Sequence, residues 1–493
     1  MRRWVTRLEH GFDAAFGAAG NPLKQLGALA FLLLWLLAAS GVVLYIVLDT
    51  SAQGAYRSIE ALAQLPLASG TLLRGLHRYG ADAFAIVLLL HLLREAALGR
   101  FRHYRRYAWL TGVPLLPLAY ACAIGGFWLN WDRLGQYSAI ATAEWLDALP
   151  FLASPLARNF LGGAVGDRLF SLFVFVHIGL PLLLVFGSWA HIQRTGHAAV
   201  FPRRGLAAGT VLLLAGLSLV LPVQSQGPAE LGTVPQRLAL DGLLLFLHPL
   251  VDATSAQAGW VLLAGVLAAL SALPFLSRKP RPPVAVVDPD HCSGCGRCVD
   301  DCPFGAIALA PHPDGRAGKQ VAVVRAAACA GCGICAGACP SSTPFRQAQP
   351  LRTGIDLPAS TVAQLRERLR AGLEQGAAQV VFSCACGADA QAVAGPGVLV
   401  LELGCTAQLP PAFVEYALRA GAAGVLVAGC REGGCEYRLG PEWMQARLAG
   451  TREPYLRGDG PSGRWRSVWA DAGEEHRLAQ ALRSPRPAEG SIA

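Results

Sequence analysis

Charge is scarce in this 493-residue chain: 15% of residues are Asp, Glu, Lys or Arg against 53% hydrophobic, and the mean hydropathy is +0.39. That scarcity excludes an ordinary soluble protein of this length and points to insertion in a bilayer. Cysteine is almost missing from the first 290 residues, where Cys122 stands alone, and the other thirteen of fourteen follow. Thiols packed at two-residue spacing read as metal ligands in a reducing compartment rather than as disulfides. No cleavable leader is expected, because the first apolar stretch after Met1-Arg2-Arg3-Trp4 is of spanning length and ends in no small-residue cleavage site. No Lys/Arg stripe interleaved with aromatics occurs in the C-terminal half, so the net charge of +9 does not imply nucleic acid. A Gly-x-Gly-x-x-Gly after a strand and a phosphate loop are both lacking, which removes an obvious site for a soluble two-electron substrate. No catalytic residue is assigned.

What is present is divided unevenly. Six apolar runs are long enough to span, at about 26–48, 80–98, 108–129, 169–193, 206–223 and 258–276. A seventh, Leu238 to Val251, is short, contains Pro249 and reads as interfacial or re-entrant. With the N-terminus in the cytoplasm, the cytoplasmic segments carry 14 Lys/Arg and the opposite ones 7 over about twice the length. This bias predicts a multi-pass protein of the inner (cytoplasmic) membrane with everything after 277 in the cytoplasm. Ser277-Arg278-Lys279-Pro280-Arg281-Pro282-Pro283 is a stiff basic linker.

Histidine recurs with a fixed interval. His77 and His91 are fourteen residues apart on the second span, and His177 and His191 repeat the interval on the fourth. Fourteen residues make nearly four helical turns, so each pair shares one helix face at a separation of roughly 21 Å. Spans two and four run in the same direction, which lets His77 face His177 and His91 face His191. Each facing pair can supply the two axial imidazoles of a haem. Gly27 and Gly41 on the first span, and Gly112 and Gly126 on the third, repeat the same interval, as expected where a flat macrocycle demands close backbone approach. Arg74, Arg94 and Arg168 flank the histidines at levels suited to haem propionates.

These residues resemble the cytochrome b family of quinol–cytochrome c reductases over roughly 20–205. The matching stretches are Arg74-Gly75-Leu76-His77-Arg78-Tyr79-Gly80-Ala81, His91 with Arg94, Gly126-Phe127-Trp128-Leu129-Asn130-Trp131, and Arg168-Leu169-Phe170 leading to His177 and Pro181. The resemblance implies two haems b, the lower-potential one at His77/His177 near the periplasmic face and the other at His91/His191 near the cytoplasm. It departs from the family where Pro-Trp-Gly-Gln becomes Asn130-Trp131-Asp132-Arg133. The Pro-Glu-Trp-Tyr motif of quinol oxidation is also absent, its nearest positional counterpart being Leu240-Asp241-Gly242-Leu243.

Cys292-x2-Cys295-x2-Cys298-x3-Cys302-Pro303 recurs as Cys329-x2-Cys332-x2-Cys335-x3-Cys339-Pro340. This is the bacterial two-cluster ferredoxin run, in which the fourth cysteine of each run ligates the other cluster. Cys292, Cys295, Cys298 and Cys339 are expected to hold one [4Fe–4S] cluster, and Cys329, Cys332, Cys335 and Cys302 the other. Tetrathiolate zinc is the plainer alternative.

Cys384, Cys386, Cys405, Cys430 and Cys435 remain, each group after an apolar run: Val380–Phe382, Val398–Leu403 or Val425–Ala428. Ligands gather at the carboxyl ends of strands in an open α/β sheet, so these five thiols are expected in one crevice. The stretch Gly424-Val425-Leu426-Val427-Ala428-Gly429-Cys430, then Gly433-Gly434-Cys435-Glu436-Tyr437, resembles the delta subunit of methyl-viologen-reducing hydrogenase. That family implies a [2Fe–2S] cluster and a link to heterodisulfide reductase. Its first pair usually has two residues between the cysteines where here there is one, which leaves open which four are ligands. Zinc or a reversible disulfide stays open here.

The expected architecture is multidomain. An α-helical transmembrane bundle (a four-helix dihaem core, 1–205, with about two further spans and the linker, 206–283) precedes an α+β ferredoxin module (284–350). A small α/β domain (355–476) and a disordered tail (477–493) follow. The expected function is that of an electron-transfer subunit between the quinone pool and a cytoplasmic flavoprotein or heterodisulfide-reductase-like complex. An alternative makes the membrane half an anchor for a soluble iron–sulfur complex, and a redox switch at Cys384/Cys386 is a third reading. A homodimer is left open.

Overall fold

The computed structural model describes residues 2–150, 155–160, 165–232, 237–276, 280, 282–315, 318–347, 350–457 and 463–483. Linker residues Ser277, Arg278, Lys279 and Arg281, and the tail from 484 to 493, lie outside the described residues. The chain forms two compact units, Met1–Arg194 with Ala198–Ser277, and Thr195–His197 with Arg278–Ala493.

The first unit is helical. Its helices are α1 (Arg2–Phe16), α2 (Leu26–Val47), α3 (Ala55–Ala61), α4 (Ser69–Ala97), α5 (Arg106–Gly112), α6 (Leu115–Asn130), α7 (Arg133–Asp147), α8 (Asp167–Ile192), α9 (Arg204–Val220), α10 (Leu247–Ala253) and α11 (Ala256–Ala272). Leucine and alanine dominate α2, which holds no charged residue, so propensity and apolarity agree. Pro114 lies in the break between α5 and α6, where its missing N–H cannot serve a continuing helix. α2 packs along α4 and α6 along α8. Leu33, Leu34, Phe84, Ala119 and Leu184 form the shared core of these four helices.

Among the described residues four helical stretches are long and apolar enough to cross a bilayer: Pro22–Val47, His103–Asn130, Asp167–Ile192 and Ala256–Phe275. Two of the six expected spans are not among them. α4 begins well before residue 80 and is roughly 43 Å long, but carries Arg74, Arg78, Asp82, Arg94 and Glu95. α9 has 17 residues. The bundle keeps an apolar exterior: Phe175 and Leu213 are 72% and 71% exposed, as a lipid-facing surface requires. The short seventh run forms α10 only at its end and buries Leu244 and Leu245, the latter against Ile124 and Leu134.

The second unit holds two kinds of sheet. β1 (Val286–Val287) pairs antiparallel with β4 (Ile355–Asp356), and β2 (Ile307–Pro311) with β3 (Gln320–Val324). Short helices α12 (Arg297–Asp300) and α13 (Ile334–Ala338) occupy matching places in the two halves. Beyond them β5 (Gln379–Cys384), β6 (Val398–Leu403), β7 (Gly424–Gly429) and β8 (Trp465–Trp469) build a four-stranded parallel sheet in the order β6-β5-β7-β8. α14 (Val362–Glu374), α15 (Ala412–Arg419), α16 (Gly440–Leu448) and α17 (Glu475–Arg483) belong to this part. Parallel strands demand crossovers and are buried on both faces, hence the continuous apolar runs of β5 and β7. The tail expected from 477 is corrected: residues 477–483 continue α17, whose Leu478 is buried beside β8.

Candidate functional site

The bundle brings two of the four histidines face to face. His77 on α4 and His177 on α8 have ring centroids 6.2 Å apart with planes at 73°. An imidazole nitrogen bonds a first-row metal at about 2.0 Å, so two axial rings on one iron stand roughly 6 Å apart, and the observed spacing fits that group. Each of the four repeated glycines sits against one imidazole. A Cβ would lie 3.1 Å from His77 at Gly41, 2.9 Å from His177 at Gly126, 2.9 Å from His191 at Gly112 and 3.5 Å from His91 at Gly27. The close approach expected of these glycines is thus to the histidine rings themselves.

Hydrogen bonding assigns the tautomers. His177 Nδ1 lies 2.9 Å from the Cys122 carbonyl, which only accepts. Ser40 Oγ donates to Leu36 O at 2.7 Å, so at 3.0 Å it accepts from His77 Nδ1. Thr111 Oγ1 donates to Tyr107 O at 2.9 Å and accepts from His191 Nδ1 at 3.2 Å. In all three, the Nδ1–H is engaged and the Nε2 lone pair is left for a metal, as outer partners of ligating histidines arrange. Sequence reading missed Ser40, Thr111 and the Cys122 carbonyl. The signal was the hydroxyl residue directly before the glycine in Ser40-Gly41 and Thr111-Gly112.

Two of the three flanking arginines are held by protein partners. Arg74 reaches Glu60 at 3.0 Å and Ser225 at 2.6 Å, and Arg94 reaches Glu9 at 2.7 Å and Glu95 at 3.0 Å. Arg168 is exposed. Asp241 is paired with Arg78, which also binds Asp82.

In the second unit, Cys292, Cys295, Cys298 and Cys339 line one small cavity together with Gly294, Gly296 and Ile355. Three loop cysteines and the last cysteine of the other run therefore share a space, the crossed grouping of a two-cluster ferredoxin. Gly294 and Gly296, and their counterparts Gly331 and Gly333, all have positive φ, between 66° and 79°, which turns each loop so tightly that an L side chain would be strained. Cys302, Cys329, Cys298 and Cys335 meet in the same small core. Burial pushes the Cys298 and Cys332 thiols up to about 12, so a bound cation is what would deprotonate them at neutral pH.

The five remaining cysteines gather where the parallel sheet changes direction. Cys384 ends β5 and Cys430 follows β7, the two strands either side of the switch point, with sulfurs 4.0 Å apart. Cys405 follows β6, and a side chain at Gly440 would collide with its sulfur and press on Cys435 Sγ at 3.3 Å. Cys384, Cys405, Cys430 and Cys435 are buried and Cys386 half-buried. Hydrogen bonds from Cys386 and Cys430 hold the Cys384 thiol far below its ordinary value, and those from Cys405 and Cys430 do the same for Cys435. Among the described residues no three His, Cys, Asp or Glu side chains converge on one point that a single metal ion would fill. The thiols form a string running from Cys386 through Cys384, Cys430 and Cys435 to Cys405.

An apolar bundle with paired imidazoles, joined in sequence to twin cysteine loops, defines a membrane electron-transfer protein. The comparisons specify its parts. Residues 21–195 match the family model for cytochrome b/b6/petB, residues 291–343 that for the 4Fe-4S dicluster domain, and residues 373–485 that for the methyl-viologen-reducing hydrogenase delta subunit. The chain thus carries, in the expected order, a cytochrome b region with haem b implied, a 4Fe–4S domain and a delta-subunit-like domain. Among solved structures, a chain titled "Hyperthermophilic respiratory Complex III" is similar at a TM-score of 0.43 and 20% identity, covering 52% of this chain and 76% of that one.

Proposed function

We propose that this subunit passes electrons between the membrane quinone pool and a cytoplasmic redox partner. His77/His177 and His91/His191 hold two haems b. Cys292/Cys295/Cys298/Cys339 and Cys302/Cys329/Cys332/Cys335 hold two [4Fe–4S] clusters. A [2Fe–2S] cluster sits on the four buried C-terminal thiols Cys384, Cys405, Cys430 and Cys435, with half-buried Cys386 outside the set. The observation that carries the reading is the His77/His177 pair at 6.2 Å, each ring fixed through Nδ1 so that Nε2 is the ligating atom. When bound, these groups supply one-electron transfer without adding atoms to a substrate. The chain's own residues do the rest: helices α4 and α8 fix the imidazole spacing, and Ser40, Thr111 and the Cys122 carbonyl hold the rings in one tautomer. Placement of one histidine of each pair on α8, a helix apolar and long enough to cross a bilayer, makes a lipid-soluble quinone the natural carrier on that side. The delta-subunit-like domain supports a flavoprotein or a heterodisulfide-reductase-like complex as the soluble partner.

The test is a reduced-minus-oxidised spectrum of detergent-solubilised protein. Dithionite should develop a b-type band, quinol should reduce part of it, and His91→Ala or His191→Ala should abolish the quinol response. Full partner activity in both variants would instead leave the membrane half as an anchor.

A further inference from the structure

One guanidinium in the second unit is tied to three cysteine-bearing stretches at once. Arg447 on α16 is fully buried, pairs with Asp301, and donates to the carbonyls of Ala407 at 2.7 Å and Ile334 at 3.4 Å. Asp301 directly precedes Cys302, Ile334 directly precedes Cys335, and Ala407 lies two residues after Cys405. Gly337 on α13 makes the room, since a Cβ there would lie 2.8 Å from the Arg447 guanidinium. Arg452 joins the group: its Nε donates to Asp301 at 2.8 Å, and its guanidinium lies over the Trp443 ring at 3.5 Å. Trp443 Nε1 in turn donates to the Asp301 carbonyl at 3.1 Å. Two cations therefore share one carboxylate, leaving net positive charge where water is scarce and screening weak. Among the described residues the other cysteine set has no buried counterpart: Ala338 stands before Cys339 where Asp301 stands before Cys302, Arg297 before Cys298 is partly exposed and paired with Glu453, and the cavity opens at exposed Cys295.

Reduction adds negative charge to a cluster, so a fixed cation beside it favours the reduced form. We infer that Arg447, assisted by Arg452, is a positioning residue that selectively raises the potential of the cluster on Cys302, Cys329, Cys332 and Cys335 and locks it beside the C-terminal thiols as their exchange point. The same contact region seats Gln408 against Gly333, where a Cβ would be 2.6 Å away, and brings Gly404 to the Cys332 carbonyl, 4.0 Å from a Cβ. In the exchange one electron leaves the group on the C-terminal thiols and one arrives on this cysteine set, or the reverse, with no bond or proton changed. The inference rests on the cluster reading proposed above.

The test is redox potentiometry followed by EPR on the full-length, anaerobically purified protein. Arg447→Met should lower one [4Fe–4S] midpoint and spare the other. The expected size is about a tenfold change in the oxidised-to-reduced ratio at a fixed potential, about 59 mV for a one-electron couple. Arg447→Lys, which keeps the charge, should restore most of it. Should Arg447→Met fail to fold, partly exposed Arg452→Met should lower the same midpoint by a smaller factor. Equal movement of both midpoints, or none, at unchanged iron content overturns the inference. Wild-type protein without a pair of [4Fe–4S] signals overturns the cluster reading itself, and the role of Arg447 with it.

Discussion

At the scale of single residues, the four repeated glycines grade themselves by distance. A methyl at Gly112 or Gly126 would come within 2.9 Å of an imidazole carbon, whereas at Gly27 it would rest in ordinary contact at 3.5 Å. Gly112→Ala and Gly126→Ala must therefore push His191 or His177 off its rotamer, at a cost of about 1 kcal/mol or more, and move Nε2 from its axial line. Each should lose about one of two haems by pyridine haemochromogen assay, and Gly27→Ala should keep both. Ser40→Ala removes the acceptor that fixes His77. Outer partners of this kind change ligand affinity by roughly 10–100-fold, so faster haem loss to a scavenger is expected, with the spectrum otherwise unchanged. The histidines and glycines were legible because their fourteen-residue interval is a periodic signal. Ser40 and Thr111 carry no interval of their own and gain their role only once α2 lies on α4 and α5 on α8.

Capping and buried pairing set the helices in place. Asp132 caps α7, accepting from Gly135 N at 2.8 Å, and also accepts from Gln226 N at 2.9 Å while 4% exposed. Asp132→Ala strands two backbone donors and should cost about 2 to 3 kcal/mol, read as a lower Tm of the solubilised protein. This residue lies in the stretch where the chain departs from the cytochrome b pattern, and the departure has a structural use. α1 is fastened by Asp13, which binds Lys24 at 2.8 Å and Asn21 at 2.8 Å. Burial pushes its carboxyl up, but Lys24 and Asn21 outweigh this and hold it below the ordinary value. A lowered folded pKa gives stability that is complete above the unfolded value of about 3.9 and is lost as pH falls through the folded one. Acidification below that point should therefore destabilise wild-type protein more than Asp13→Asn, by thermal melts across pH. Element identity was readable for α2, α8 and β5 to β7 because each is a long apolar run. α17 was missed because a short amphipathic helix at a chain end resembles a solvated tail until Leu478 finds β8.

For the whole molecule, the cysteine arrangement makes a prediction about metal content. Cys384→Ser, Cys405→Ser, Cys430→Ser and Cys435→Ser should each remove about two irons per chain and the C-terminal EPR signal, while Cys386→Ser should retain both. Zinc in place of iron after anaerobic purification would reverse that assignment. The ferredoxin and delta-like parts, read from sequence as separate domains, fold into one compact unit. Arg447 and Asp301, 146 residues apart, are part of what joins them, and no spacing rule pairs residues so distant.

What the amino-acid order determined alone was every feature carried by local period: apolar spans, the histidine and glycine intervals, and the doubled cysteine runs. These follow from helix pitch and loop length, which neighbouring residues dictate. Only the tertiary structure decided which atoms meet: the imidazole tautomers, the contact of Arg447 with Asp301, and the order of the C-terminal thiols along their string. Those depend on how separate elements pack, and packing is a property of the whole core rather than of any stretch within it.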